Sequence, residues 1–120
     1  MYSAALLDHF EHPRNSGELP DADVRVSVSN PACGDVMELA LKFDGDRIVA
    51  ARFKTRGCVA AIACGSAVTE LVIGKSRAEA AGVKSAEIAR IVGGLPPASG
   101  HAAELAVDAV RAALSRVSRP

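Results

Sequence analysis

VMELALKFDGDRIVAARFKTRGCVAAIACGSAVTELVIG, residues 36–74, decides the fold. Over Val36–Phe43, Met37, Leu39, Leu41 and Phe43 share one side, and Glu38 and Lys42 share the other. Over Arg47–Arg56, Val49, Ala51 and Phe53 stand opposite Arg52, Lys54 and Arg56. A two-residue period of this kind predicts half-buried strands. Asp44-Gly45-Asp46 between them supplies a tight hairpin turn. After Gly57 the period changes. Cys58 to Ile73 is rich in Ala, Val and Leu and reads as a helix, with Gly74 as its stop.

Towards the N-terminus, Val24–Asn30 alternates Val24, Val26 and Val28 with Arg25, Ser27 and Ser29, which predicts a third strand. Arg14 to Pro20 reads as a loop. Tyr2 to His12 carries Ala4, Leu6, Leu7 and Phe10 at helical spacing, and Pro13 ends the run. Towards the C-terminus, Ser76-Arg77-Ala78-Glu79 has the form of a capping box before a short helix. A second short helix is expected over Ala86–Val92, closed by Gly93-Gly94. Leu95-Pro96-Pro97 should be an extended loop, because Pro cannot continue a helix. From His101 to Arg116, Leu105, Ala106, Ala109, Val110, Ala113 and Leu114 form one apolar stripe. The expectation is an α+β domain spanning residues 1–120. It has a three-stranded antiparallel sheet with one wet face, helices packed on the other, an N-terminal helix and a long C-terminal one.

Composition sets the limits. At 120 residues, 49% of them hydrophobic, the chain can build one core; with 3% aromatics and no Trp, that core must be aliphatic. The formal net charge is zero, so there is no electrostatic reason to expect nucleic acid or an anionic membrane as partner. No apolar run approaches the ~20 residues of a membrane span. The opening residues lack the basic head of a signal peptide, and the three cysteines are too few and too odd for a disulfide framework. A cytoplasmic protein with reduced thiols is the expectation.

Four residues are candidates for chemistry. Cys33 lies in the turn Asn30-Pro31-Ala32-Cys33-Gly34-Asp35, where Asp35 sets a hard oxygen beside a soft sulfur. Cys58 stands where a strand ends and a helix begins. Helix-start N–H groups, with Lys54 and Arg56 near in sequence, are expected to favour its thiolate. His101 opens the last helix and can aim a nitrogen between elements. Two Cys, one His and one Asp suffice for a tetrahedral metal site. Each also has an ordinary structural reading: an incidental turn residue, a buried inert thiol, a satisfied imidazole. No CxxC-type spacing links them.

Taken together, four ordered segments resemble the U-type iron–sulfur cluster assembly scaffolds, the family of IscU, SufU and the N-terminal domain of NifU. They are LLDHFEHPRNSG (Leu6–Gly17), NPACGDVMELALKF (Asn30–Phe43), ARFKTRGCVAAIACGSAVTELVIGKS (Ala51–Ser76) and LPPASGHAAELAVDAV (Leu95–Val110). The resemblance implies that Cys33, Asp35 and Cys58 gather at one end. With His101 they would hold a labile [2Fe–2S] cluster, iron or Zn²⁺. It also implies a cysteine desulfurase as sulfur donor, cluster acceptor proteins as recipients, and a scaffold or carrier rather than an enzyme that turns over.

The chain departs from the family pattern in two places. The usual third Cys after the His is Ala102 here, which bears on sulfur acceptance. The loop Leu95-Pro96-Pro97-Ala98-Ser99 lacks the Lys of the chaperone-served branch, which speaks against docking of a dedicated Hsp70-type chaperone. Cys64 is itself unusual. Six residues turn a helix by about 600°, so Cys64 would point about 120° away from Cys58, and it is expected to be a packed core thiol. Two other functions fit the same residues: a zinc-dependent sulfur-transfer partner of the desulfurase, and a regulatory binding module without metal. A homodimer that completes a thiol-poor site is a further expectation.

Overall fold

The protein is described from a computed structural model, which covers residues 2–31 and 34–117. The order of elements is α1 (Ala4–Glu11), β1 (Val24–Ser29), β2 (Val36–Asp44), β3 (Arg47–Arg56), α2 (Val59–Val72), α3 (Arg77–Ala81), α4 (Ser85–Ile91) and α5 (His101–Arg116). The strands form one antiparallel sheet in the order β1-β2-β3. The expected α+β architecture is therefore present, with bounds within two residues of those read from periodicity. One difference lies at the proline loop, where Pro97–Ser99 forms a single 3₁₀ turn. Pro97 is its first residue, a position where the missing N–H costs nothing.

The register sorts the strand residues. Val26, Leu39 and Phe53 lie in one row, and Arg25, Ala40 and Arg52 lie in the next, on the opposite face. The first row is buried under the helices. The alternation of β3 does not run unbroken, however. A register shift between Lys42 and Phe43 pairs Lys42 with Ala50 but Phe43 with Ile48. Such an irregularity resets which face each residue takes. Ile48 is fully buried, and Val49, expected on the core side with Ala51 and Phe53, is 47% exposed instead.

The outer face is also less wet than the alternation implied. After α1 the chain runs beside β3, where Phe53 N–H donates to Asn15 O and Gly17 N–H to Phe53 O. It then crosses the sheet towards β1. Leu19 is buried, and Arg25 Nη2 donates to its carbonyl at 2.7 Å. Gly17, Leu19, Arg25, Ala40 and Arg52 line one small crevice, and Ala40 is left only 6% exposed. This strap satisfies an edge of β3 that would otherwise present unpaired backbone groups.

Helix α2 is the centre of the molecule. Ala60, Ala61, Ala63, Cys64, Gly65, Ser66, Ala67 and Val68 are all buried. Small side chains let the sheet, α1 and α5 approach it from different sides, as a helix apolar all round requires. Gly65 shows how close the approach is: a Cβ built there would lie 2.5 Å from Cδ2 of Phe53. The buried polar groups of α2 are answered by the N-terminal segment. Ser66 Oγ lies 2.7 Å from His9 Nδ1 and accepts from Arg14 N–H at 2.8 Å. Thr69 Oγ1 accepts from Asn15 Nδ2 at 3.2 Å and donates to Ser66 O at 2.7 Å. Among the described residues, no helix is long and apolar enough to cross a membrane.

Candidate metal centre

Three chain segments meet at one end of the sheet. The first is the turn before β2. Gly34 N–H donates to Asn30 O, Asn30 N–H donates to Asp35 O, and Gly34 takes φ +77°, a conformation natural to glycine. That turn delivers Asp35, 5% exposed, to the site. The second is the β3–α2 junction. Cys58 is the N-cap of α2, extended at φ −76° and ψ 167°, and its Sγ accepts from Ala61 N–H at 3.4 Å. The third is the start of α5, where His101 is the first helical residue.

Asp35 ties these segments together. Its Oδ1 accepts from Cys58 N–H at 3.3 Å, and its Oδ2 accepts from Cys58 Sγ–H at 3.3 Å. Oδ2 is also 3.6 Å from His101 Nε2, longer than a hydrogen bond. His101 Nε2 is itself buried and has no hydrogen-bond partner among the described residues. The donor atoms of Asp35, Cys58 and His101 all lie within 4.8 Å of one another. Bonds of ~2.0–2.3 Å to zinc place tetrahedral ligands roughly 3.5 Å apart, so a small contraction suffices. An orphaned imidazole nitrogen, a buried carboxylate and a thiol are a borderline donor set suited to Zn²⁺ or iron. Cys33, the fourth candidate, lies outside the described residues.

One expectation about Cys58 is corrected. Burial pushes its thiol pKa up, and the Asp35 carboxylate adds to that rise; the Ala61 and Ala60 amides oppose it and lose. Lys54 and Arg56, close in sequence, are exposed. Lys54 Nζ is held by Glu18 at 2.6 Å. The surroundings of Cys58 therefore favour the thiol over the thiolate, against the expectation from the helix start.

Cys64 is fully buried among the apolar residues of α2, as expected of a core thiol. Burial pushes its pKa up to about 12. Ala102, next to His101, is likewise fully buried. Sequence reasoning missed Gly57. A Cβ there would lie 2.4 Å from Asp35 Oδ1. A glycine directly before a candidate ligand was the available signal.

A profile of the family described as the NifU-like N terminal domain matches residues 1–119. An iron–sulfur cluster assembly scaffold protein IscU of Haemophilus influenzae is 47% identical over 118 residues, covering 95% of this chain and 93% of that protein. A scaffold protein IscU of Archaeoglobus fulgidus is 44% identical over 114 residues, covering 95% of this chain and 74% of that one. The N-terminal structure of a nitrogen-fixing NifU-like protein from Brucella abortus has the same fold, with a TM-score of 0.78 at 18% identity, over 96% of this chain and 92% of that one. By sequence over nearly its whole length, and by fold, the chain belongs to the NifU-like N-terminal domain family, the family of the IscU scaffolds.

Proposed function

We propose that this protein is an iron–sulfur cluster assembly scaffold or carrier, and that Cys33, Asp35, Cys58 and His101 hold its cargo. The observation that carries the reading is the convergence within 4.8 Å of Asp35, Cys58 and a His101 nitrogen that has no hydrogen-bond partner among the described residues, in a chain 47% identical to a named scaffold. The cargo is a labile [2Fe–2S] cluster or the iron that precedes it, with Zn²⁺ as the alternative occupant. The working partners are a cysteine desulfurase and cluster acceptor proteins, in the reducing cytoplasm.

The residues divide the work. His101 offers a ring nitrogen. Cys58 gives up its proton as the cation arrives, so loading releases protons and weakens in acid. Asp35 is a hard oxygen among softer donors, a weaker partner for iron than a second thiolate. Such a ligand suits a cargo that must leave again.

Anaerobic metal and acid-labile sulfide analysis of protein from its native host tests the reading, with a Cys33→Ala/Cys58→Ala variant for comparison. Iron and sulfide in the first and neither in the second are expected. Equal, negligible metal in both would refute it. A second reading, a zinc-dependent sulfur-transfer partner, is favoured by the scarcity of thiols: Ala102 stands where the family resemblance implies a third Cys. Tightly bound zinc, no sulfide and stimulation of desulfurase turnover would select it. A folded, metal-free protein that still binds the desulfurase would instead indicate a regulatory module.

A further inference from the structure

We infer that Gly57 is a positioning residue for the metal site: the bare backbone at 57 leaves room for the Asp35 carboxylate to reach Cys58. The inference deepens the metal-site reading and rests on it for its consequence, though not for its geometry.

Asp35 Oδ1 reaches the Cys58 amide, and Oδ2 reaches the Cys58 thiol, both at 3.3 Å. To do so the carboxylate lies across the peptide that precedes Cys58. A Cβ on residue 57 would sit 2.4 Å from Oδ1, 2.6 Å from Cγ and 3.0 Å from Cβ of Asp35. Contacts below ~3 Å are far inside the optimal ~3.5–4.0 Å separation, so one group must move. The carboxylate is the free end of a rotatable side chain, whereas residue 57 is held between β3 and the α2 N-cap. Asp35 therefore gives way and the backbone stays. Gly57 is not required for its torsion, since it is absent from the glycines with positive φ. Its requirement is space for one side chain.

Other glycines behave differently. A Cβ at Gly65 would strike the ring of Phe53, a packing contact of the core. Gly34, two residues from the β2 strand, has open space around it and a positive φ. Among the described glycines, Gly57 is the one whose missing side chain is matched to a candidate metal ligand.

The test is a double-mutant cycle in the full chain, read by Zn²⁺ competition with a chromophoric chelator. Asp35→Ala is expected to weaken zinc binding at least tenfold. Gly57→Ala should weaken it by a comparable factor, and Gly57→Ala/Asp35→Ala no further than Asp35→Ala alone. The ligand-field spectrum of the Co²⁺-loaded Gly57→Ala protein should shift as that of Asp35→Ala does. In a crystal structure of metal-free Gly57→Ala, Asp35 Oδ1 should lie more than about 1 Å farther from Cys58 N. Zinc affinity of Gly57→Ala within twofold of the parent, or losses that multiply in the double variant, would overturn the inference. So would an Asp35 carboxylate unmoved in the variant structure. If Gly57→Ala fails to fold, recovery of folding in the Asp35→Ala background supports the clash, and failure to recover refutes it. A parent protein that binds no zinc at all sinks the metal-site reading alone, because the metal-free crystal structure still judges the placement of Asp35.

Discussion

Replacing Gly65 by Ala should destabilise this protein, against the usual direction for a helix interior. Gly→Ala in mid-helix ordinarily stabilises by about 1 kcal/mol, through propensity and reduced freedom of the unfolded chain. Gly65 lies within α2 (Val59–Val72), so that gain applies. Opposing it, the new methyl would sit 2.5 Å from Cδ2 and 2.7 Å from Cε2 of Phe53. Relieving that contact needs a shift of about 1 Å to reach an ordinary carbon–carbon separation. Phe53 is 2% exposed and its backbone is tied to Asn15 and Gly17, so the ring has nowhere cheap to go. Overpacking of this kind costs ~1–3 kcal/mol, and the rigid surroundings favour the upper half. The net loss is then about 1–2 kcal/mol, a fall in Tm of at least ~4 °C for a chain of this size. Urea denaturation of the metal-free protein would measure it. In a Phe53→Val background the ring is gone and Gly65→Ala should revert to a gain of up to ~1 kcal/mol. The sign change is the decisive result. A stabilised Gly65→Ala in the parent, or an equal loss in both backgrounds, would refute the packing argument.

Other consequences follow from particular side chains. Burial lowers the His9 pKa below its ordinary 6.5, and the Arg14 guanidinium adds to this against Glu70 and Asp8. Since the unfolded chain takes up the proton first, the contribution of His9 is intact above pH 6.5. It is lost as pH falls through the folded pKa, by at most ~1.4 kcal/mol per pH unit. Urea midpoints of metal-free protein between pH 7.5 and 5 should decline, and less so in His9→Asn. Cys64 is sealed in the core, so iodoacetamide should label Cys58 in the native protein and reach Cys64 only after unfolding, as mass spectrometry would show. Cys64→Ser would bury a hydroxyl among apolar neighbours and cost ~1–3 kcal/mol if it finds no partner, while zinc stoichiometry stays unchanged. Ser3 caps α1 by accepting from Leu6 N–H at 2.9 Å, and its hydroxyl donates to Val92 O. Ser3→Ala should therefore cost ~1 kcal/mol in thermal unfolding and loosen α1 from the end of α4.

The sequence by itself determined the elements and their order, because period, caps and breakers act within a few residues. Three alternating runs became three strands, the Ser76–Glu79 capping box formed as read, and α5 begins at His101 and ends at Arg116. Tertiary structure decided what depends on partners distant in the chain. A register shift at Lys42/Phe43 turned Val49 outward, although its local alternation pointed in. The strap over Ala40 covered a face that the strand pattern alone left wet. Asp35, Cys58 and His101 share no spacing that announces a site, since three separate turns bring them together. The pKa of Cys58 depended on the same convergence. Local sequence offered a helix start and two nearby cations, but folding left Lys54 and Arg56 exposed, with Lys54 held by Glu18, and set the Asp35 carboxylate against the sulfur instead. Electrostatics and close packing act through space, and neighbours in space are assigned only when the chain has folded.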